Sequence, residues 1–187
     1  NLVLVIRDAC RDAAGLLGTA PPPVPPTVRY QLPPDMAPAP ELGMPAGPRP
    51  VAQLGAATAI LINGVFGDPL LHLRLRQHRR SLLFDLGEAV RLPARIAHQV
   101  SDVFVSHAHI DHIGGFLWFL RSRIGQRAVC RLYGPPGLAQ HIQGMVSGIL
   151  WDRIGEGGPC FVVAELHAER LRRWRVQAGV PGLQPLD

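Results

Sequence analysis

The segment Ser106-His107-Ala108-His109-Ile110-Asp111-His112-Ile113-Gly114-Gly115 places three imidazoles and a carboxylate within six consecutive positions. Neutral imidazole nitrogen and carboxylate oxygen are donors that suit zinc, with manganese or iron as substitutes, and no cysteine stands close enough to make a closed thiolate centre. Residues two apart project the same way from an extended chain, so His107 and His109 are expected side by side. Asp111 and His112 begin the next turn and are expected to point elsewhere, which gives two neighbouring metal positions. A single histidine on an apolar face is ordinarily a core or surface residue. Four such groups in this register, between an apolar run and a helical pattern, are poorly explained in that way.

The elements that must hold this segment can be read on either side of it. Val103-Phe104-Val105 is β-branched and aromatic and short enough for a buried strand, which puts the histidines on the loop leaving it. Gly114 and Gly115 allow close backbone approach, and Phe116 to Ile124 carries apolar residues at helical spacing. Upstream, Ala56 to Ile62 reads as a first strand and Asn63 to Pro69 as turn chemistry. Leu71, Leu73 and Leu75 alternate with His72, Arg74 and Arg76, the pattern of a strand with one face in the core. A polar turn over Gln77 to Arg80 then leads into a strand over Ser81 to Phe84. Asp85 follows it; locally, a turn-capping carboxylate and a partner for an imidazole are equally good readings. Arg91 to Gln99 is a polar connection with some helical character. Ala128 to Tyr133 reads as a strand, Gly137 to Leu150 as a helix, and Phe161 to Ala164 and Leu171 to Val176 as further strands, an α/β pattern. His72, His78, His98 and His141 lack partners at ligand spacing and read as surface residues.

The chain has 187 residues, of which 47% are hydrophobic, enough for one sizeable core. Its formal charge is +5, carried entirely by arginine on the basic side, and suits an anionic partner such as RNA. Arg170, Arg172, Arg173 and Arg175 surround Trp174; RNA contact is one reading, but alternation on a solvated strand face explains most of it. Cys10, Cys130 and Cys160 are widely spaced and read as free thiols of a reducing cytoplasm. No apolar run approaches a membrane span, and the charged residues Arg7, Asp8, Arg11 and Asp12 are unlike a secretory signal. Residues 1–20 have the period of a short amphipathic helix. Residues 21–53 form a linker or extended arm, with 12 of the chain's 19 prolines between Pro21 and Pro50. Residues 54–187 form the folded domain.

His107-Ala108-His109-Ile110-Asp111-His112 resembles the His-x-His-x-Asp-His signature of the metallo-β-lactamase superfamily. Within it the chain is similar to the ribonuclease Z family. That narrower resemblance rests on Leu82 to Glu88, with its Asp-x-Gly-Glu ending, on Val103 to Gly115, and on Leu132-Tyr133-Gly134-Pro135-Pro136-Gly137. Ala89-Val90-Arg91 departs from it, standing where that family usually carries Gly-Thr-Gln. The resemblance implies a four-layer αββα sandwich of which this chain holds the first half. It also implies two zinc ions in a complete site, with His107, His109, Asp111 and His112 as ligands. Asp111 would double as proton acceptor, and Asp85 would orient a ligand imidazole from behind. The implied reaction is hydrolysis of a phosphodiester at the 3′ end of precursor tRNA, with RNA as partner and a homodimer as one arrangement. The remaining ligands would lie beyond Asp187, leaving this chain inactive alone, unless His167 substitutes as in thioesterase relatives. A lactonase, arylsulfatase or thioesterase, or a non-catalytic metal-binding module, are the other readings of the same half-site.

Overall fold

The computed structural model describes residues 49–187 apart from 79, 127, 155, 156 and 187. The helix expected over 1–20 and most of the proline-rich arm therefore lie outside the described residues, as does Cys10. The arm gives way to sheet directly after its last proline, Pro50. Val51–Leu54 forms strand β1, so the strand starts inside the stretch assigned to the arm.

Among the described residues, nine strands form one sheet in chain order. β1, β2 (Ala57–Leu61), β3 (Leu71–Leu75) and β4 (Ser81–Phe84) pair antiparallel. β4, β5 (Val100–Phe104), β6 (Cys130–Gly134) and β7 (Cys160–His167) then run parallel. β8 (Arg170–Gln177) and β9 (Gln184–Pro185) close the far edge antiparallel. Parallel neighbours need crossovers, and helices supply them: α1 (Ala94–Ala97) between β4 and β5, α2 (Ile110–Ile113) with α3 (Phe116–Ser122) between β5 and β6, and α4 (Leu138–Ser147) between β6 and β7. With strand order following chain order, right-handed crossovers put every helix on one face.

That face holds the main core. Ala97, Ile113, Phe116, Phe119, Leu138, Ile142 and Val146 of the helices pack on Leu83, Val103, Leu132, Phe161 and Val163 of the strands. The opposite face carries a second cluster of Ala59, Leu71, Leu73 and Phe84. Along it the rings of Phe84, Phe104 and Tyr133 stack at 5.0 and 4.9 Å. Leu71, Leu73 and Phe84 are buried there, while Leu82 and Phe104 are half-buried. Among the described residues, no helix is long and apolar enough to cross a membrane. Cys130 and Cys160 are free thiols.

β3 differs from the one-sided strand expected. His72 pairs across from Leu83 on the helix-covered face and is buried, so both faces of this strand are covered at its start. The surface reading of His72 is thus corrected, whereas His78, His98 and His141 are exposed. His72 Nε2 meets Ser81 Oγ at 3.0 Å, and Nδ1 has no partner. Burial, reinforced by the Arg74 guanidinium, lowers its pKa from 6.5 to about 4. The unfolded chain takes up this proton at higher pH than the folded one, so the stabilisation is complete above pH 6.5 and is lost as pH falls towards 4. Urea midpoints are expected to fall between about pH 7.5 and about pH 5, by roughly 2 kcal/mol of stability, more steeply than in a His72→Phe variant.

Two polar features of the core were not visible in the sequence. Asp102 is buried within β5 between Arg80 at 2.7 Å and Arg131 at 2.6 Å. Burial alone would raise its pKa, but hydrogen bonds from Arg131, Ser101 and Arg80 outweigh this and hold it below the usual carboxylate range. Arg123, at the end of α3, is buried and donates to the carbonyls of Ala97, Val100 and Ala128 at 3.1, 2.9 and 2.9 Å. It ties α1, β5 and the approach to β6 to one guanidinium. Arg123→Met is expected to cost about 3 kcal/mol or more in denaturant titration, because it strands these carbonyls without donors.

Candidate metal centre

The parallel pairing of β4 with β5 sets Phe84 beside Phe104, so the chain leaves both strands at the same end of the sheet. Asp85 follows one strand and Ser106 the other. Asp85 donates its backbone N–H to the Phe104 carbonyl at 2.7 Å, and Val105 donates to Tyr133 at 2.7 Å. The histidine loop thus starts from three bonded strand ends, the place where open α/β sheets build ligand sites.

Residues 86 and 87 clamp the loop from below. Leu86 N–H donates to the His112 carbonyl at 2.7 Å and Gly115 N–H to the Leu86 carbonyl at 2.9 Å. Side chains cannot be inserted into this contact. A Cβ on Gly115 would strike the Gly87 carbonyl and Ala89, and one on Gly87 would strike the Asp111 carbonyl and Asp68. Ala89, part of the departure from the family pattern, is buried against this clamp, whereas Val90 is exposed.

Asp85 adopts a left-handed backbone with φ 59°, which aspartate tolerates better than most residues and which recurs at functional sites. Its side chain is 1% exposed. Oδ1 accepts from Ser106 N–H at 2.8 Å, and the Ser106 hydroxyl lies 2.9 and 3.0 Å from the two carboxylate oxygens. The same hydroxyl is 3.0 Å from His107 Nδ1 and 3.1 Å from His112 Nδ1. A hydroxyl has one proton to give and can accept two. Facing a carboxylate, Ser106 is placed to give its proton to Asp85, and the arrangement that then satisfies the hydroxyl has both Nδ1 atoms donating to it. His112 Nδ1 also lies 3.0 Å from Asp85 Oδ2. With that assignment the Nε2 atoms of His107 and His112 are the ones turned to a cation, the orientation a metal ligand needs.

His107 and His109 lie together as the spacing implied, their ring centroids 4.6 Å apart. His112 does not point elsewhere: the short helix α2 turns its ring back onto His107, 3.8 Å between centroids. Asp111 is half exposed, with Oδ2 3.4 Å from His112 Nε2. The donor set of three imidazoles and a carboxylate, with Nε2 lone pairs left free and a carboxylate behind one ring, fits a zinc-class cation. Among the described residues, no three His, Cys, Asp or Glu side chains already surround one ion-sized point.

His167 does not join the loop. It stands at the end of β7, with Nε2 2.7 Å from Glu165 Oε2 and its ring 6.3 Å from Trp174. Glu165 is buried, and its other oxygen accepts from the Ala139 N–H in the first turn of α4 at 2.8 Å. Burial would raise the Glu165 pKa, but the N–H of Ala139, His167 and the N–H of Gly137 lower it on balance. Residue order alone concealed Ser106, whose role depends on the approach of Asp85 from another strand. The available signal was its place next to the first histidine.

Comparison with known proteins follows this geometry. Ribonuclease Z of Brevibacillus brevis is 35% identical over 82 residues, covering 40% of this chain and 26% of that protein. Ribonuclease Z of Gloeothece citriformis is 40% identical over 77 residues, covering 38% of this chain and 24% of that protein. The chain thus spans about a quarter of the length of the curated relatives it matches. The crystal structure of the short form of human tRNase Z aligns with a TM-score of 0.39 and 19% identity, over 58% of this chain and 51% of that one. The model of the metallo-beta-lactamase superfamily matches residues 72–179, which include β3 to β8 and the whole histidine loop, and the chain belongs to that superfamily.

Proposed function

We propose that the histidine loop is the metal-binding part of a ribonuclease Z-like phosphodiesterase that acts on the 3′ end of precursor tRNA. The observation that supports this reading is the Asp85–Ser106 network, in which one hydroxyl meets the Asp85 carboxylate and Nδ1 of both His107 and His112, beside His109 and Asp111. His107, His109, Asp111 and His112 would hold zinc, or manganese or iron in its place, after modest side-chain rotation. The bound cation supplies Lewis-acid stabilisation of charge on the phosphoryl oxygens. Asp85 and Ser106 fix the tautomer and tilt of two imidazoles. Asp111, which is half exposed, would take a proton from the attacking water. A two-ion site needs more donors than these four, and we assign the rest to residues outside those described. A cytoplasmic location and an RNA partner go with this reading, which is supported by the ribonuclease Z relatives and the arginine-only basic charge.

The test is a 3′-trailer cleavage assay with added zinc or manganese, on the 187-residue chain and on the full coding frame it comes from, each beside Asp111→Ala. The expected result is cleavage by the full-frame protein alone, abolished by Asp111→Ala. Cleavage by the short chain, dependent on Asp111, would mean that its own residues or a second copy complete the site. Hydrolysis of a lactone, a sulfate ester or a thioester instead of RNA would move the substrate class and keep the loop as the centre.

A further inference from the structure

A second polar cavity lies at the other end of the sheet. The histidine loop leaves the C-terminal ends of β4 and β5; this cleft is lined from the end of β3 and the starts of β4 and β5. The length of β5, about 16 Å, separates the two. The cleft is about 890 Å³, within the usual size of small-ligand sites. Arg74, Arg76, Arg80, Arg95 and Arg123 line it, with Ser101, and no carboxylate does.

Most of this charge is not neutralised. Arg80 is paired with Asp102, which lies behind the wall. Arg123 spends its donors on backbone carbonyls, and among the described residues the hydrogen-bond partner of Arg76 is the neutral Gln53 amide. Arg74 and Arg95 are exposed and make no hydrogen bond or ion pair among the described residues. Concentrating guanidinium groups in one concave wall without counter-charge is costly unless an anion occupies it, and such a wall focuses potential on anions. Guanidinium presents a planar fork of donors that matches phosphoryl oxygens in pairs. Among the described residues no Phe, Tyr or Trp lines the cleft, and the two imidazoles that do, His78 and His98, are outnumbered by guanidinium groups, so the chemistry chiefly recognised is the phosphoryl group.

We propose that this cleft binds an anion with consecutive phosphoryl groups, with Arg74 and Arg95 as the free arms that grip it. The ligand is either the phosphodiester backbone of RNA or a free oligophosphate. The site is separate from the histidine loop and does not depend on the hydrolase reading. Calorimetric titration with inorganic tripolyphosphate, and competition with a short oligouridine, test it on the 187-residue chain.

The double variant Arg74→Ala with Arg95→Ala is compared with Arg170→Ala with Arg172→Ala, which removes the same charge from the exposed face of β8. All four positions are exposed, so both variants are expected to melt like the parent. The expected result is saturable tripolyphosphate binding that falls at least about tenfold in the cleft variant, two charge-assisted contacts having been lost, and that persists in the β8 variant. Displacement by oligouridine would assign the ligand to an RNA backbone, and its absence would assign it to a free oligophosphate. Equal loss in both variants, or no loss in the cleft variant, would overturn the proposal.

Discussion

Replacing His107 by alanine is expected to lower zinc affinity by more than about a hundredfold, because the partners that merely orient a ligand are themselves worth about 10–100-fold. His107 stands at the centre of the cluster, with one neighbouring ring at 4.6 Å and another at 3.8 Å. His109→Ala and His112→Ala should each weaken binding as well, and His141→Ala, on the exposed side of α4, should not. Competition of each variant with a chromophoric zinc chelator reads the difference. Undiminished binding in His107→Ala would remove the loop from consideration as the metal centre.

Asp85→Asn should produce the second large effect, through two observables at once. The buried carboxylate accepts from both the N–H and the hydroxyl of Ser106. An amide in its place brings donors of its own towards that hydroxyl, which then has reason to turn its proton towards an imidazole. The histidine tautomers are no longer held, and zinc affinity should fall by about 10–100-fold although no ligand has been touched. The bond to the Ser106 N–H also joins the ends of β4 and β5, so urea titration should show a loss of about 2 kcal/mol. Ser106→Ala separates the two consequences. It keeps the backbone N–H bond to Asp85, so it should weaken zinc while largely sparing stability. A metal affinity unchanged in both variants would show that tautomer control contributes nothing.

The histidine cluster was legible because all of its candidate donors fall within one short segment, so no long-range packing had to be inferred. The strands were legible where the apolar pattern was continuous, as at β3, β4 and the Phe161-to-Ala164 part of β7. What could not be read depended on residues far apart in the chain. His72 alternates with leucines like an outward residue, yet the helical layer covers that face, and only the sheet's two-sided burial makes it a core residue. Asp102 reads as the polar lead-in to a strand; it lies within the strand because arginines from the neighbouring turn and from β6 reach it. The His112 ring was expected to diverge because the turn that begins at Asp111 was read as carrying it away from the His107–His109 pair. Helix α2 starts at Ile110, and one helical turn brings residue 112 back over residue 107. β1 was missed because proline dominates the residues just before it.

Anomalous scattering from crystals grown with zinc tests the central claim most directly, since it locates the ion instead of inferring it from affinity. The account predicts a peak at the histidine loop, about 2.0–2.1 Å from Nε2 of His107 and within bonding distance of at least one of His109, Asp111 and His112. A strong peak at the Glu165–His167 pair, with the imidazoles of the loop unliganded, would contradict it.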